Sequence, residues 1–124
     1  MTDQFFQPHY SDTCVFCKVA KGTVRADIVY EDAQLVAFRD IHPQAPVHFL
    51  VIPREHMTAL WEADETHTVL LGRALLVCND LAQKEGIGDS GYRLVINSGA
   101  DAGQSVDHVH IHILGGRKLD WPPG

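Results

Sequence analysis

The spacing of apolar residues predicts strands in the first half of the chain. Two short apolar runs, residues 28–31 and 35–38, are separated by a short polar break, a spacing typical of a β-hairpin. Residues 49–52 form an uninterrupted apolar run that stops at Pro53, which indicates a strand buried on both faces. The segment between them, residues 42–47, contains two prolines and is predicted to be a loop.

Two helices are predicted, one short and one long. Residues 14–21 form a short helical segment that ends before Gly22. Residues 64–85 repeat apolar side chains at helical spacing, with Asp64 as a candidate N-cap and Gly86 as a candidate C-cap. A helix of that length spans ~30 Å, which is enough to cross one face of a sheet.

The rest of the pattern sets the fold class. Residues 92–97 and 106–114 are predicted strands, joined by a loop rich in turn-forming residues. The prediction is an α+β fold, a mostly antiparallel sheet of about five strands with one long helix and a short N-terminal helix. The 124 residues fit a single domain over 13–124, preceded by a polar segment, 1–12, that we expect to be loosely ordered.

Composition narrows the class of partner. The net charge of −6 disfavours polymeric nucleic acid, whose binders carry a basic surplus, but leaves room for a small anionic ligand. No stretch approaches the ~18 apolar residues of a membrane span, and no signal peptide is visible. Three cysteines do not make a disulfide scaffold, so we expect a cytoplasmic protein without membrane contact.

Three of the eight histidines alternate along the last predicted strand. His108, His110 and His112 are two residues apart, so their rings share one face while the β-branched residues between them face the core. Imidazoles bind metals and act as nucleophiles or acid–base groups. The first and last of these positions lie ~13 Å apart on a strand, so a site in which all three bind one ion is disfavoured. The glycine-containing loop upstream can present backbone N–H groups to an anion.

The segment 103–117, GQSVDHVHIHILGGR, resembles the signature of the histidine-triad (HIT) family, and the terminal WPPG resembles its Hint branch. Further similarity lies in PQAP at 43–46 and HFLVIP at 48–53, and the resemblance runs in order from about Cys14 to Gly124. It implies a HIT-like fold that forms a homodimer, with the C-terminal tail near the active site of the partner.

The resemblance also implies an activity. Hint proteins hydrolyse purine nucleoside 5′-phosphoramidates and release an amine and AMP or GMP. The family's nucleophile corresponds to His110, whose attack on phosphorus would give a nucleotidyl-histidine that water cleaves. His112 corresponds to a contact of the α-phosphate, Ser105 to a contact of the leaving group, and His48 to a residue that supports the triad.

The nucleotide-binding residues are implied in the same way. Asp40 corresponds to the acid that binds the ribose hydroxyls, and three apolar residues correspond to walls around the base, although taken alone they fit ordinary core packing better. Arg39 departs from the family pattern, so we expect altered contacts at the rim of the base pocket. The complete predicted set is Phe16, Phe38, Asp40, Ile41, Asn97, Gly103, Gln104, Ser105, His110 and His112.

The pair Cys14 and Cys17 has Cys-x-x-Cys spacing. A redox dithiol is one interpretation, but nothing around the pair resembles a thioredoxin unit. Half of a zinc site is the stronger one, because zinc prefers four nitrogen or sulfur ligands. The resemblance implies a structural zinc completed by His56 and His108, and no organic cofactor. Cys78 lies in the long helical pattern and is expected to be a buried thiol.

Two further functions stay open on the sequence. One is a nucleotide-binding regulatory or scaffold protein with vestigial catalysis. The other is a zinc-dependent hydrolase in which the three histidines are catalytic ligands. Catalysis that survives removal of the metal would exclude the second.

Overall fold

The structure is a computed structural model that describes residues 8–124 of the chain. The helices are α1 (Val15–Lys21) and α2 (Thr68–Lys84), and the strands are β1 (Ile28–Glu31), β2 (Leu35–Arg39), β3 (Val47–Pro53), β4 (Tyr92–Val95) and β5 (Ile111–Gly115). The strands pair antiparallel in the order β1-β2-β3-β5-β4. The predicted α+β class, with five strands, one long helix and one short helix, is confirmed.

The central strands β2 and β3 are buried on both faces, since neighbouring residues of a strand point to opposite sides and nearly all residues of these two strands are buried. One face packs on α2 and the other on α1. The continuous burial of β3 confirms the prediction made from its unbroken apolar run. The α2 side contains Leu35, Ala37, Phe49, Val51, Ala74, Cys78, Leu81, Ile111 and Ile113, and the α1 side contains Phe16, Cys17, Val19, Val36, Phe38, Leu50 and Ile52.

Two predicted boundaries are shifted. The long helix begins at Thr68 because Asp64 caps a separate 3-10 turn, Glu65–His67, where its carboxylate accepts the Thr66 N–H. The ring of His67 accepts the backbone N–H of Asp64 and completes the cap. Strand β4 also ends earlier than predicted, at Val95.

The larger difference is the start of β5, which is Ile111 rather than residue 106. Strand β3 ends at Pro53, which has no N–H to donate, so the ladder cannot continue along the segment that precedes Ile111. The Val109 N–H donates instead to the Met57 carbonyl at 2.7 Å. The first two histidines of the triad therefore lie before the strand. Their rings nevertheless stay on the α1 side of the sheet, where Phe16 packs against both and the ring centroids of His110 and His112 are 5.0 Å apart.

The described residues ahead of α1 contain no helix or strand, although the His9 carbonyl accepts the His56 N–H at 2.8 Å. Residues 1–7 of the predicted loose segment lie outside the described residues. Within residues 8–124, no helix combines the length and apolarity needed to cross a bilayer.

Candidate functional site

Four sulfur and nitrogen donors meet at the N-terminus of α1. Cys14 is the N-cap of this helix, and its Sγ accepts the N–H of Cys17, which brings both thiols to the same end. The Sγ of Cys14 lies 3.3 Å from Nδ1 of His108. The Sγ of Cys17 lies 3.3 Å from Nδ1 of His56 and 3.5 Å from Nδ1 of His108. The structure thus brings together the four residues predicted as metal ligands.

The geometry of these donors fits zinc. In a tetrahedral site, Zn–S and Zn–N bonds of usual length place sulfur and nitrogen ~3.5 Å apart, close to the observed separations. Cys14, Cys17 and His108 are buried, which is typical of a closed structural site. Burial raises the pKa of the Cys17 thiol to about 11. A bound cation would offset this penalty by stabilising the thiolate.

A backbone carbonyl fixes the tautomer of His108. Its Nε2 lies 2.7 Å from the Pro53 carbonyl oxygen, which can only accept, so Nε2 carries the proton and Nδ1 keeps a lone pair toward the two sulfurs. Burial lowers the pKa of His108 to about 4, which keeps the ring neutral at neutral pH. A neutral ring with its second nitrogen anchored is the form that ligates metals.

His110 is held in the opposite tautomer. Its Nδ1 lies 2.7 Å from the carbonyl of His108 and must donate the proton there, so the lone pair is on Nε2. The ring is 2% exposed and packs edge-on against Phe16, with centroids 5.2 Å apart. Two histidines that are neighbours on the predicted face therefore present different nitrogens to different surroundings.

A chain of hydrogen bonds orients His112. The Gln44 N–H donates to Nδ1 of His48 at 3.0 Å, so the proton of His48 is on Nε2, which donates to Nδ1 of His112 at 2.9 Å. The proton of His112 is consequently on Nε2, available to an anion. Burial lowers the pKa of His112 to about 4 and that of His48 below its usual value, the latter opposed by the charge of Asp40.

Asp40, His48 and His112 also lie close enough to hold a metal ion. The hydrogen bonds disfavour it, because a metal on Nε2 of His48 would move the ring proton to Nδ1, opposite the Gln44 N–H. The side chains of His48 and His112 are joined by a proton instead. This arrangement disfavours a metal ion bound between Asp40, His48 and His112, the one member of the triad in this cluster.

Asp40, His110 and His112 line a common cavity of about 310 Å³. One part is apolar, where Phe16 and Phe38 meet edge to face at 5.4 Å between ring centroids. Polar side chains line the other part. Seven predicted site residues line it: Phe16, Phe38, Asp40, Ile41, Ser105, His110 and His112.

Three predicted nucleotide-binding residues, Asn97, Gly103 and Gln104, do not line the cavity. The Gln104 amide donates to the carbonyls of Thr58 and Val106 and accepts the Gly99 N–H, so it holds the loop in shape. His48 is also outside the lining, because it lies behind His112.

Arg39 borders the cavity, but its guanidinium lies on the α2 side of the sheet. It pairs with Asp27 and Glu85, each at 3.2 Å, and covers the ring of Phe49 at 4.9 Å. Its expected contacts at the base pocket are therefore not made by the guanidinium.

Several residues that line the cavity were not predicted from the sequence. Val15 and Val19 share a helical face by their spacing, which could have indicated them. The lining residues not predicted are Val15, Val19, Val24, Arg25, Ala26, His42, Leu50 and Val106.

Comparison with known proteins agrees with this geometry. The HIT domain model matches residues 21–119. An uncharacterized HIT-like protein of Synechococcus elongatus is 52% identical over 114 residues, which cover 92% of this chain and 99% of that protein. A 14 kDa zinc-binding protein of Zea mays is 48% identical, covering 89% and 87%. The crystal structure of a HIT family hydrolase from Legionella pneumophila superposes with a TM-score of 0.89 at 46% identity, covering 90% and 100%.

The neutral state of His112 predicts a pH dependence of stability. Its folded pKa, about 4, lies below the unfolded value near 6.5, so the unfolded chain binds more protons between these values and the free energy of unfolding falls as pH decreases through this window. Between pH ~7 and ~5, the free energy of unfolding measured with urea should fall by about 1 kcal/mol less in His112→Asn than in the parent protein. This figure allows for solvent screening of the charge.

Comparing the two proteins cancels the acid sensitivity of the cysteine and histidine cluster, which both retain. An equal loss in both would contradict the neutral state assigned to His112.

Proposed function

We propose, because the chain belongs to the HIT domain family, that it is a nucleotide-binding hydrolase of the Hint branch that cleaves purine nucleoside 5′-phosphoramidates to an amine and AMP or GMP. The observation that carries this proposal is the pair of opposed tautomers at one cavity. The lone pair on Nε2 of His110 and the proton on Nε2 of His112 supply a nucleophile and a donor to the same phosphate.

The lining of the cavity suits a nucleotide bound in one orientation. Its volume of about 310 Å³ lies at the lower end of the usual range for small-molecule sites. The apolar part, with Phe16, Phe38 and Ile41, suits a purine ring, and the Asp40 carboxylate can accept from both ribose hydroxyls. The α-phosphate then lies at the polar part, between His110 and His112, with Ser105 beside the leaving group.

The reaction has two displacements at phosphorus. Nε2 of His110 forms a bond to phosphorus while the P–N bond of the substrate breaks. The electron pair of the P–N bond goes to the amine nitrogen, which takes up a proton from solvent and leaves. Water then attacks phosphorus, the bond between phosphorus and Nε2 of His110 breaks with its electron pair returning to the imidazole, and water's proton goes to solvent as AMP or GMP is released. The His108 carbonyl accepts from Nδ1 of His110 throughout and stabilises the positive charge that the ring carries as a nucleotidyl-histidine.

His112 stabilises the charge that develops on the phosphoryl oxygens. Its Nε2–H is aimed by His48, which is held in turn by the Gln44 backbone, so the donor needs no reorganisation when the reaction begins. His48 is thus a positioning residue.

We also propose that Cys14, Cys17, His56 and His108 bind a structural zinc ion. The support is the tetrahedral donor spacing and the zinc-binding maize relative. The metal would tie the start of α1 to the His108 segment and so fix the carbonyl that orients His110. Zinc bound to thiolates requires reduced cysteines, which agrees with a cytoplasmic location.

A second copy of the chain is the proposed protein partner. Helix α2 exposes Val69 and Leu76, 73% and 65% exposed, on its outer side, and β4 forms an edge of the sheet. Trp121 in the C-terminal tail is 80% exposed. Val69 and Leu76 lie two turns apart on one side of α2, and a contiguous exposed apolar patch marks an interaction surface.

Substitution His110→Ala should reduce hydrolysis of an AMP–amine conjugate by at least about a thousandfold, because the covalent route is lost, while AMP still binds. Release of AMP followed by chromatography measures the rate, and calorimetry measures AMP binding.

His9→Ala is the matched control, because the described contacts of His9 are made by its main chain. Full activity of His110→Ala would refute the covalent route. If the parent protein binds AMP tightly but hydrolyses the AMP–amine conjugate no faster than His110→Ala, the regulatory alternative is favoured.

Substitution Cys17→Ser should lower the zinc content from about one ion per chain to well below one, because it removes one of four ligands from a closed site. Elemental analysis of the purified protein measures the content. Cys78→Ala, which removes a buried thiol far from the site, should retain the metal. Zinc that is unchanged in Cys17→Ser, or absent from the parent, would contradict the assignment.

A further inference from the structure

A second cavity, of about 370 Å³, lies beside the first and shares part of its wall. Val15, Ser105 and Val106 line both cavities. Ser105 is the residue placed beside the leaving group, so a substrate whose phosphorus lies at His110 can extend past Ser105 into this second space. The base and ribose occupy the first cavity in the proposed orientation, which leaves the second cavity for the amine.

The chemistry of the second cavity differs from that of the base pocket. Its other lining residues offer hydroxyls, a carboxylate and two of the metal donors, and no lysine or arginine lines it. Asp107 lies directly after the Ser105–Val106 wall and is exposed to solvent. Within residues 8–124 its carboxylate has neither a hydrogen bond nor an ion pair with another side chain, so its charge is available to a ligand. The remaining lining residues are Ser11, Thr13, Cys14 and His56.

We propose that the second cavity is the leaving-group subsite and that Asp107 favours amines carrying a second positive charge. The inference rests on the proposed function and adds to it the class of leaving group. A remote ammonium group on the amine would pair with the Asp107 carboxylate, and the hydroxyls of Ser11 and Thr13 would accept its remaining hydrogen bonds. Asp107 is here a specificity residue and takes no part in bond breaking.

The size of the preference follows from the exposure of Asp107. A solvent-exposed carboxylate–ammonium pair changes an equilibrium by about twofold to fivefold. Salt screens such a pair, so the preference should shrink toward unity at ~1 M salt.

The test compares two AMP conjugates whose leaving groups match in length. One carries 1,4-diaminobutane and the other 1-aminopentane, so they differ in a terminal ammonium against a methyl group. At low salt, we expect the ratio of kcat/KM for the diamine over the monoamine to be about threefold higher in the full-length, zinc-loaded protein than in Asp107→Asn. Asp107→Lys should lower the ratio further.

Asp101→Asn is the matched control, because Asp101 is an exposed carboxylate of the same loop that lines neither cavity. It should keep the parent ratio. Since every variant is measured with both conjugates, the intrinsic reactivity of the two amines cancels between proteins.

A parent ratio that Asp107→Asn does not change, or that Asp101→Asn changes equally, overturns the inference. In that case both conjugates are still cleaved and the proposed function stands. Failure of the parent protein to cleave either conjugate overturns the proposed function and, with it, the inference.

Discussion

The end of β3 at Pro53 is the constraint on which the candidate site depends. Proline cannot donate to the sheet ladder, so the chain before β5 is not paired with β3, and the Pro53 carbonyl is left to accept a proton from a side chain. The ring of His108 satisfies it, and the carbonyl of His108 then accepts from His110. The carbonyl oxygens of Pro53 and His108 therefore decide which ring nitrogen of His108 and of His110 is unprotonated.

This arrangement gives two different roles, metal ligation and the proposed nucleophilic attack, to two histidines that are only two positions apart in the sequence. His108 turns its free nitrogen to the cysteine pair, and His110 turns its free nitrogen to the cavity. Both rings pack against Phe16, and their different carbonyl acceptors distinguish their tautomers. The metal donors and the proposed nucleophile are thus mechanically linked, because both depend on the position of the same short segment.

Much of this was predictable from the pattern of residues, and the misses have physical causes. The run at 49–52 predicted a strand buried on both faces, because such burial requires apolar residues on both sides. Alternation at 106–114 predicted one long strand and was wrong at its start, because the ladder bond that Pro53 removes lies on another strand, distant in sequence. The metal donors were named through family resemblance, and Val24 and Arg25 of the cavity lining were missed because periodicity does not indicate which loop folds over a site.

The most direct test of this account is the tautomeric state of the histidine rings. Long-range ¹H–¹⁵N correlation NMR of the ring nitrogens in the zinc-loaded protein at neutral pH reads it without a substrate. The account predicts a proton on Nδ1 and an unprotonated Nε2 for His110, and protons on Nε2 for His48 and His112. A proton on Nε2 of His110 would leave no lone pair facing the cavity and would contradict the central claim.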